Sequence, residues 1–403
     1  MTRTGKKTYR FFIVAGEASG DILGAGLMAA MKEQRRDVRL VFEGVGGRHM
    51  CRQGLKPLFD MGLLSVMGYS QVLWRLPTLI ACLRRCVVHV AHGQPDMVIT
   101  VDSPSFAMRF VSRLKKNKET ASIPCIHYVA PTVWAWKAGR AQDMARLYQG
   151  LLTLLPFEPP YFECYGLPTY FAGHPSVVGT EVIRCRRRDD KRIMRLCLCP
   201  GSRPSEVRHH LPLMLEAVSL LKRRCLAEGV TFETWIVMAQ GVEARIRSMV
   251  EGRGEPSLID RLWAREGAGK EEGFEGMDVA LAVSGTVSLD LAVKGVAMVI
   301  IYKIDRLTAW IVKRCVRVRY ATLVNLMAES MLIPELLFDA CTAVKMAETL
   351  YPLMMEKDAR EQQQKAVAPF LRQLRCQDGH HPFTTAATQL WRWLAHQPSP
   401  KAL

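Results

Sequence analysis

The segment Phe11–Leu27 reads FFIVAGEASGDILGAGL. Aromatic and β-branched residues run unbroken from Phe11 to Val14, Gly16 closes the run, and small and apolar residues at helical spacing follow. Buried strand, tight turn and helix in that order open a parallel α/β sheet, whose strands are covered on both faces and need no polar alternation. The helix is expected over about residues 22–33. The turn is unusual, because Glu17 and Asp21 place two carboxylates where a phosphate cradle carries none.

The same alternation continues outward from this segment. VFEGVGG, PDMVITVDSP, IPCIHYVAP, GLLTLLPFE and YFAGHP read as further strands ending in turns. A basic hydrophilic stretch, RCRRRDDKR (Arg184–Arg192), interrupts the series. It then restarts with IMRLCLCPGS, FETWIVMAQ, MDVALAVSGT and VAMVIIYK. The fold expected is α/β with two doubly wound parallel-sheet domains, the boundary falling near residues 175–192. Ligands of such sheets sit beyond the C-terminal strand ends where the strand order reverses. Two domains facing across a cleft would bring those edges together, so the residues just after each apolar run are the ones to weigh.

Composition narrows the classes. The chain has 403 residues, 49% hydrophobic and 23% charged, which is globular. Its net charge of +17 suits an anionic partner, or is simply a solvated basic surface. No zinc-finger spacing or aromatic-basic signature points to nucleic acid. The 12 cysteines include no Cys-x-x-Cys pair, so they read as reduced thiols of a cytoplasmic protein. The apolar run near the N-terminus is too short for a signal peptide, and Asp290 and Lys294 cut the longest apolar region. Membrane contact, if any, is peripheral.

Several strand ends carry chemistry. In CPGSRPSEV, Gly201 and Ser202 form a tight turn, Pro204 suits a first helical turn, and Arg203 adds a guanidinium. Free N–H groups, a helix dipole and one cation are what a diphosphate requires; an ordinary turn with an exposed arginine is the alternative. In LAVSGTVSLDLAV, Ser284, Gly285 and Thr286 repeat that geometry, and Asp290 falls on the face of Thr286. Asp290 could accept from a ribose or could only complement the dipole. Asp102 ends VITVD with apolar flanks, as a proton acceptor or a turn cap. Trp134 and Trp136 follow His127 and either stack on a ligand or belong to the core. The stretch Met61–Cys86 is apolar and flanked by arginines, which fits an interfacial segment or a buried helix pair.

Absent motifs also decide. Neither a P-loop nor a complete Gly-x-Gly-x-x-Gly occurs, and there is no Asp-x-Asp to seat a sugar-nucleotide metal. Taken together and in order, VAGEASGDILGAGL, VMGYSQVL, VDSPSF, HYVAPTVWAWKAGR, LPFEPPYF, GLPTYFAGHP, PGSRPSEV, SGTVSLDLA and VNLMA resemble the lipid-A-disaccharide synthases, over about residues 11–340.

That resemblance implies a B-type glycosyltransferase fold of two Rossmann-like domains, with residues 1–180 on the acceptor and lipid side, 190–370 binding UDP, and 371–403 a helix returning to the first domain. It implies transfer of the sugar of UDP-2,3-diacylglucosamine to the 6-hydroxyl of 2,3-diacylglucosamine 1-phosphate, giving the β-1′,6 disaccharide and UDP without metal or cofactor. The α-linked donor and β product make the displacement inverting. Asp102 is then the candidate base and Arg203 the group that meets the leaving diphosphate. Gly201, Ser202, Glu206, Ser284, Gly285, Thr286, Asp290 and Asn325 belong to the donor side. Gly16, Glu17, Ser19, Gly20, Asp21, Trp134 and Trp136 belong to the acceptor side, where carboxylates suit sugar hydroxyls; Asp21 also reads as the N-cap of a helix beginning at Ile22. Four places depart from the family pattern: Ser105 replaces a second acid, Asp290 a glutamate and Val324 a proline, and GHPSVVG lacks the aspartate that usually follows GHP. The expected location is the cytoplasmic face of the inner membrane, against its anionic surface, with a homodimer left open. The rivals are an epimerase or non-lipid transferase of the same fold, and a non-catalytic membrane binder.

Overall fold

The computed structural model describes residues 6–64, 69–178, 193–239, 241–252, 258–264, 274–304, 314 and 318–396, and of residues 69–75 the backbone alone. The chain forms two compact units, residues 1–175 with 374–403, and residues 176–373.

Unit 1 holds a seven-stranded parallel sheet in the order β3-β2-β1-β4-β5-β6-β7. Its strands are β1 (Thr8–Ala15), β2 (Arg39–Val45), β3 (Leu55–Pro57), β4 (Met97–Val101), β5 (Cys125–Tyr128), β6 (Gly150–Thr153) and β7 (Thr169–Phe171). Side chains alternate between faces along a strand. Phe11, Ile13 and Ala15 therefore pack with Leu27 and Met31 of α1 (Ala18–Gln34), while Phe12 and Val14 pack with Cys86 and Val90 of α3 (Tyr69–Gly93) and Phe110 of α4 (Pro104–Lys116). Both faces are apolar because both are covered, and all five residues of β4 are buried.

The last helix of the chain, Pro382–Ala395, packs on α1 in this unit, and Ala386 and Leu390 join its core. Two glycines make room for it. A Cβ on Gly26 would stand 2.1 Å from the Phe383 ring, and one on Gly150 would stand 2.8 Å from the Trp393 ring.

Unit 2 holds a six-stranded parallel sheet in the order β10-β9-β8-β11-β12-β13. Its strands are β8 (Met194–Cys199), β9 (Phe232–Met238), β10 (Arg261–Ala264), β11 (Val279–Val283), β12 (Ala297–Tyr302) and β13 (Glu335–Leu337). Leu196 and Leu198 of β8 face the long helix α7 (Pro204–Ala227) through Val207, Leu211 and Met214. The alternate residues Cys197 and Cys199 point the other way, buried with their sulfurs 3.6 Å apart. The hydrogen bond with the Cys199 sulfur, and then burial, push the Cys197 thiol well above its ordinary range, so it stays protonated.

Candidate active site

Each sheet reverses its strand order once, and each reversal is lined by the turns the sequence singled out. In unit 1 the reversal lies between β1 and β4, which pair with Ala15 opposite Val101. The turns after them interlock. Asp102 and Ser103 both hold left-handed backbone, with φ of 55° and 47°. Such residues cost about 1–3 kcal/mol each and persist only where the surroundings over-determine them. Here the Asp102 carboxylate accepts from the Ser103 N–H at 2.7 Å and from the Ser19 hydroxyl at 2.9 Å. A Cβ on Gly16 would stand 2.7 Å from Ser103 Oγ, and one on Gly20 3.2 Å from the Val101 carbonyl oxygen. The glycines of GEASGD thus serve close approach of the β4 turn, and Ser19 orients the carboxylate. Glu17 and Ser19 are exposed beside it.

Asp21 does something else. The helix starts at Ala18, four residues before Ile22, so Asp21 lies within its first turn and does not cap it. It is 2% exposed and accepts from the N–H groups of Gly47, His49 and Met50, capping the short helix α2 (Arg48–Arg52). With both oxygens engaged by backbone amides, it braces the turn after β2 against α1.

The loop after β5 carries the two tryptophans. Trp134 is half-buried, meets the Phe157 ring edge-on at 5.5 Å, and donates through Nε1 to Glu158 at 3.3 Å. Glu158 is 2% exposed, and burial pushes its carboxyl up to about 8 despite that bond and the Leu155 N–H. Trp136 instead lies at the surface, with the Lys137 ammonium 4.3 Å and the Arg140 guanidinium 5.5 Å from its ring centre. Glu158 carries no residue-type signal of its own in LPFEPPYF; only its burial reveals it.

In unit 2 the reversal lies between β8 and β11, so the turns after Cys199 and Val283 are neighbours. Gly201 has φ of 110°, and a Cβ there would stand 2.6 Å from Glu206. One Glu206 oxygen accepts from the N–H groups of Ser202 and Arg203, at 3.0 and 3.2 Å. The other meets Arg203 Nη1 at 3.3 Å. This corrects the expectation of free amides: the chain's own carboxylate occupies them. The Arg203 side chain is 50% exposed and braced from behind by Glu206.

Across the reversal Ser284 donates its hydroxyl to the Ala321 carbonyl at 3.2 Å, while Gly285 and Thr286 are exposed. Asp290 is half-buried and starts one turn beyond Thr286, its N–H reaching the Thr286 carbonyl at 3.4 Å. Asn325, expected on the donor side, is held by its own loop. It is fully buried, donates to the Ile333 carbonyl and to Glu335, and accepts from the N–H groups of Leu332 and Ile333. Glu335 also accepts from the N–H groups of Ala321 and Thr322 and from the Thr322 hydroxyl. The amide's whole hydrogen-bonding capacity is used in holding the loop before β13.

His210, which the sequence reading passed over, ties this site together. It sits one turn after Glu206 on α7 and is 1% exposed. Its Nε2 accepts from the Lys303 N–H at 2.8 Å, which requires Nδ1 to carry the proton it shares with the Glu206 carbonyl at 2.7 Å. Burial lowers its pKa, keeping the ring neutral. The neutral imidazole thereby links the first turn of α7 to the end of β12.

Of the apolar stretch Met61–Cys86, Leu73 and Trp74 lie outside the described side chains. Beyond them α3 divides: Cys82, Leu83 and Cys86 enter the core, while Leu76, Pro77, Ile80, Ala81 and Arg84 line a groove of about 610 Å³. Among the described residues no helix is long and apolar enough to cross a membrane, and no cluster of His, Cys, Asp or Glu could hold a metal.

Solved structures share this architecture. An MnaA–UDP complex from S. aureus superposes with a TM-score of 0.60 at 13% identity, covering 98% of this chain and 99% of that one. MurG of Acinetobacter baumannii gives 0.55 at 11% identity over 96% and 99%. The fold is that of the two-domain, B-type glycosyltransferases and the epimerases built like them. Within that class, the model of the family described as "Lipid-A-disaccharide synthetase" matches residues 11–382. Lipid-A-disaccharide synthases of Rhodospirillum centenum and Ruegeria pomeroyi are 40% and 39% identical, covering 91% and 87% of this chain and 90% and 88% of theirs. The chain belongs to the lipid-A-disaccharide synthase family, which are glycosyltransferases; the epimerase reading is not favoured.

Proposed function

We propose that the protein transfers the sugar of UDP-2,3-diacylglucosamine to the 6-hydroxyl of 2,3-diacylglucosamine 1-phosphate with inversion, unit 1 holding the acceptor and unit 2 the donor. The observation that carries the division is the contrast between the two strand reversals. One presents the Asp102 carboxylate held by Ser19. The other presents the Arg203 guanidinium held by Glu206.

A hydroxyl attacking an anomeric carbon must lose its proton, and Asp102 is the acceptor at that place. The bond to UDP breaks as negative charge gathers on the diphosphate, and Arg203 stabilises it as a preorganised cation. Glu206 fixes the guanidinium, and His210 fixes the turn that carries both. Thr286 and Asp290 stand beside that turn for the nucleoside, and Glu17, on the turn that holds Asp102, and Trp136, on the loop after the neighbouring strand β5, serve the acceptor.

Such an acceptor resides in a bilayer, so we place the protein on the anionic cytoplasmic face of the inner membrane. The charge of +17 and the Leu76–Arg84 groove support this. Binding to anionic vesicles should weaken in high salt without vanishing, because apolar insertion adds to the attraction of basic residues.

The deciding assay measures UDP release and disaccharide with the acylated and the deacylated acceptor. Disaccharide from the acylated acceptor alone is expected. UDP release without disaccharide, or equal use of both acceptors, would remove the reading.

A further inference from the structure

The acceptor carries a phosphate as well as a hydroxyl, and Asp102 accounts only for the hydroxyl. The loop between β5 and α5 (Arg140–Leu147) leaves the sheet beside β4, the strand that ends at Asp102. Two of its residues hold non-glycine left-handed backbone, Val129 at φ 79° and Lys137 at φ 53°. For a β-branched residue that is a true outlier, so this loop is held in shape.

The loop sets two cations on one ring: the Lys137 ammonium and the Arg140 guanidinium lie 4.3 and 5.5 Å from the centre of Trp136. Arg140 also donates to the Ser105 hydroxyl at 3.2 Å, three residues on from Asp102. Among the described residues no carboxylate lies within ion-pair distance of either cation. Ser105 anchors Arg140 without neutralising it. Two like charges drawn to one aromatic ring repel each other, and a dianion that meets both relieves the repulsion while gaining charge-assisted hydrogen bonds.

We propose that Lys137, Arg140 and Ser105, backed by Trp136, form the binding site for the phosphate monoester of the acceptor. This rests on the assignment of the acceptor to unit 1. The hydroxyl and the phosphate of one sugar would then be held by neighbouring turns, one by a carboxylate and one by cations. The same chemistry could be met by a phosphate of the surrounding lipid, and the two sources are separable.

The test uses the full-length enzyme with acceptor dispersed in neutral detergent, with and without its 1-phosphate. Lys137→Met and Arg140→Gln should each raise the acceptor KM about tenfold to a hundredfold, the range for losing one hydrogen-bonded charge. The donor KM should stay as in the wild type, and the wild-type preference for the phosphorylated acceptor should shrink by the same factor. Lys137→Glu, which reverses the charge at an exposed position, should do so most strongly. Unchanged acceptor KM in all three variants overturns the proposal. So does a loss confined to adsorption on phosphatidylglycerol vesicles with detergent KM unaltered, which would assign the cations to the lipid surface. A wild-type enzyme that makes no disaccharide from the phosphorylated acceptor overturns the functional reading itself, a result distinct from either.

Discussion

The loops after β1 and β4 and the loops after β8 and β11 occupy the same place in two parallel sheets with the same strand order around the reversal, yet their chemistry is opposite. In unit 1 a serine holds a carboxylate outward at the reversal. In unit 2 a carboxylate is folded back onto the backbone amides and holds a guanidinium outward. Topology decides where a ligand can sit, because helices cover both faces and leave only the strand ends open. The side chains decide its charge. The difference teaches that a glycine-rich strand-to-helix turn is no anion site by itself, since Glu206 fills the one that best matched the pattern.

The predictions press on that contrast. Asp102→Asn should lower turnover by about a thousandfold, within the range for a general base, and leave UDP affinity as it was in calorimetry. Loss of UDP binding together with activity would place Asp102 on the donor side and break the division of labour. Arg203→Ala should lower turnover about a hundredfold, the scale for removing one preorganised donor to developing charge. Near-normal turnover at saturating donor would remove Arg203 from the leaving-group role.

Asn325→Ala separates scaffold from site within unit 2. It leaves Glu335 and two backbone amides short of partners, so unfolding should cost about 2–4 kcal/mol less, seen as a lower thermal midpoint. Turnover per folded molecule should hold; a selective rise in donor KM at wild-type stability would return Asn325 to the ligand shell.

The smallest effect concerns Glu158 in unit 1. Its folded pKa of about 8 lies above the ordinary 4.5, so its protonated form is the one the fold favours. The stability it contributes is present below the ordinary value and is lost as pH rises through about 8. Glu158→Gln should therefore gain thermal stability relative to wild type between about pH 5 and pH 9, by a few kcal/mol at most. A gap that does not change with pH would mean that Glu158 is ionised throughout. His127 acts in the other direction: burial lowers it to about 3, so unit 1 weakens as pH falls below about 6.5.

The long strands were legible because each is an apolar run, most of them followed within three residues by glycine or proline, as in MVITVDSP and VALAVSG. Three strands were not: Leu55–Pro57, Arg261–Ala264 and Glu335–Leu337. All three are sheet edges of three or four residues, too short to show a period. The start of α1 was placed late because Asp21 looks like an N-cap, a preference that only the position of Gly47 and Met50 across the sheet overrides.

By itself the sequence determined the class of fold, the strand-end turns, the family and the presence of Asp102 and Arg203 at those turns. These follow from local order, since hydrophobic period and turn chemistry are properties of neighbouring residues. Only the tertiary structure decided which polar groups face outward. Asp21 and Asn325 are spent on backbone amides and carbonyls that lie far along the chain or on the next element, and Glu206 on the turn before its own helix. His210 becomes a clamp only because Lys303, 93 residues away, ends a strand beside it. A side chain's type states what it can bond; its burial and its partners, which depend on contacts distant in sequence, state whether that capacity is already used.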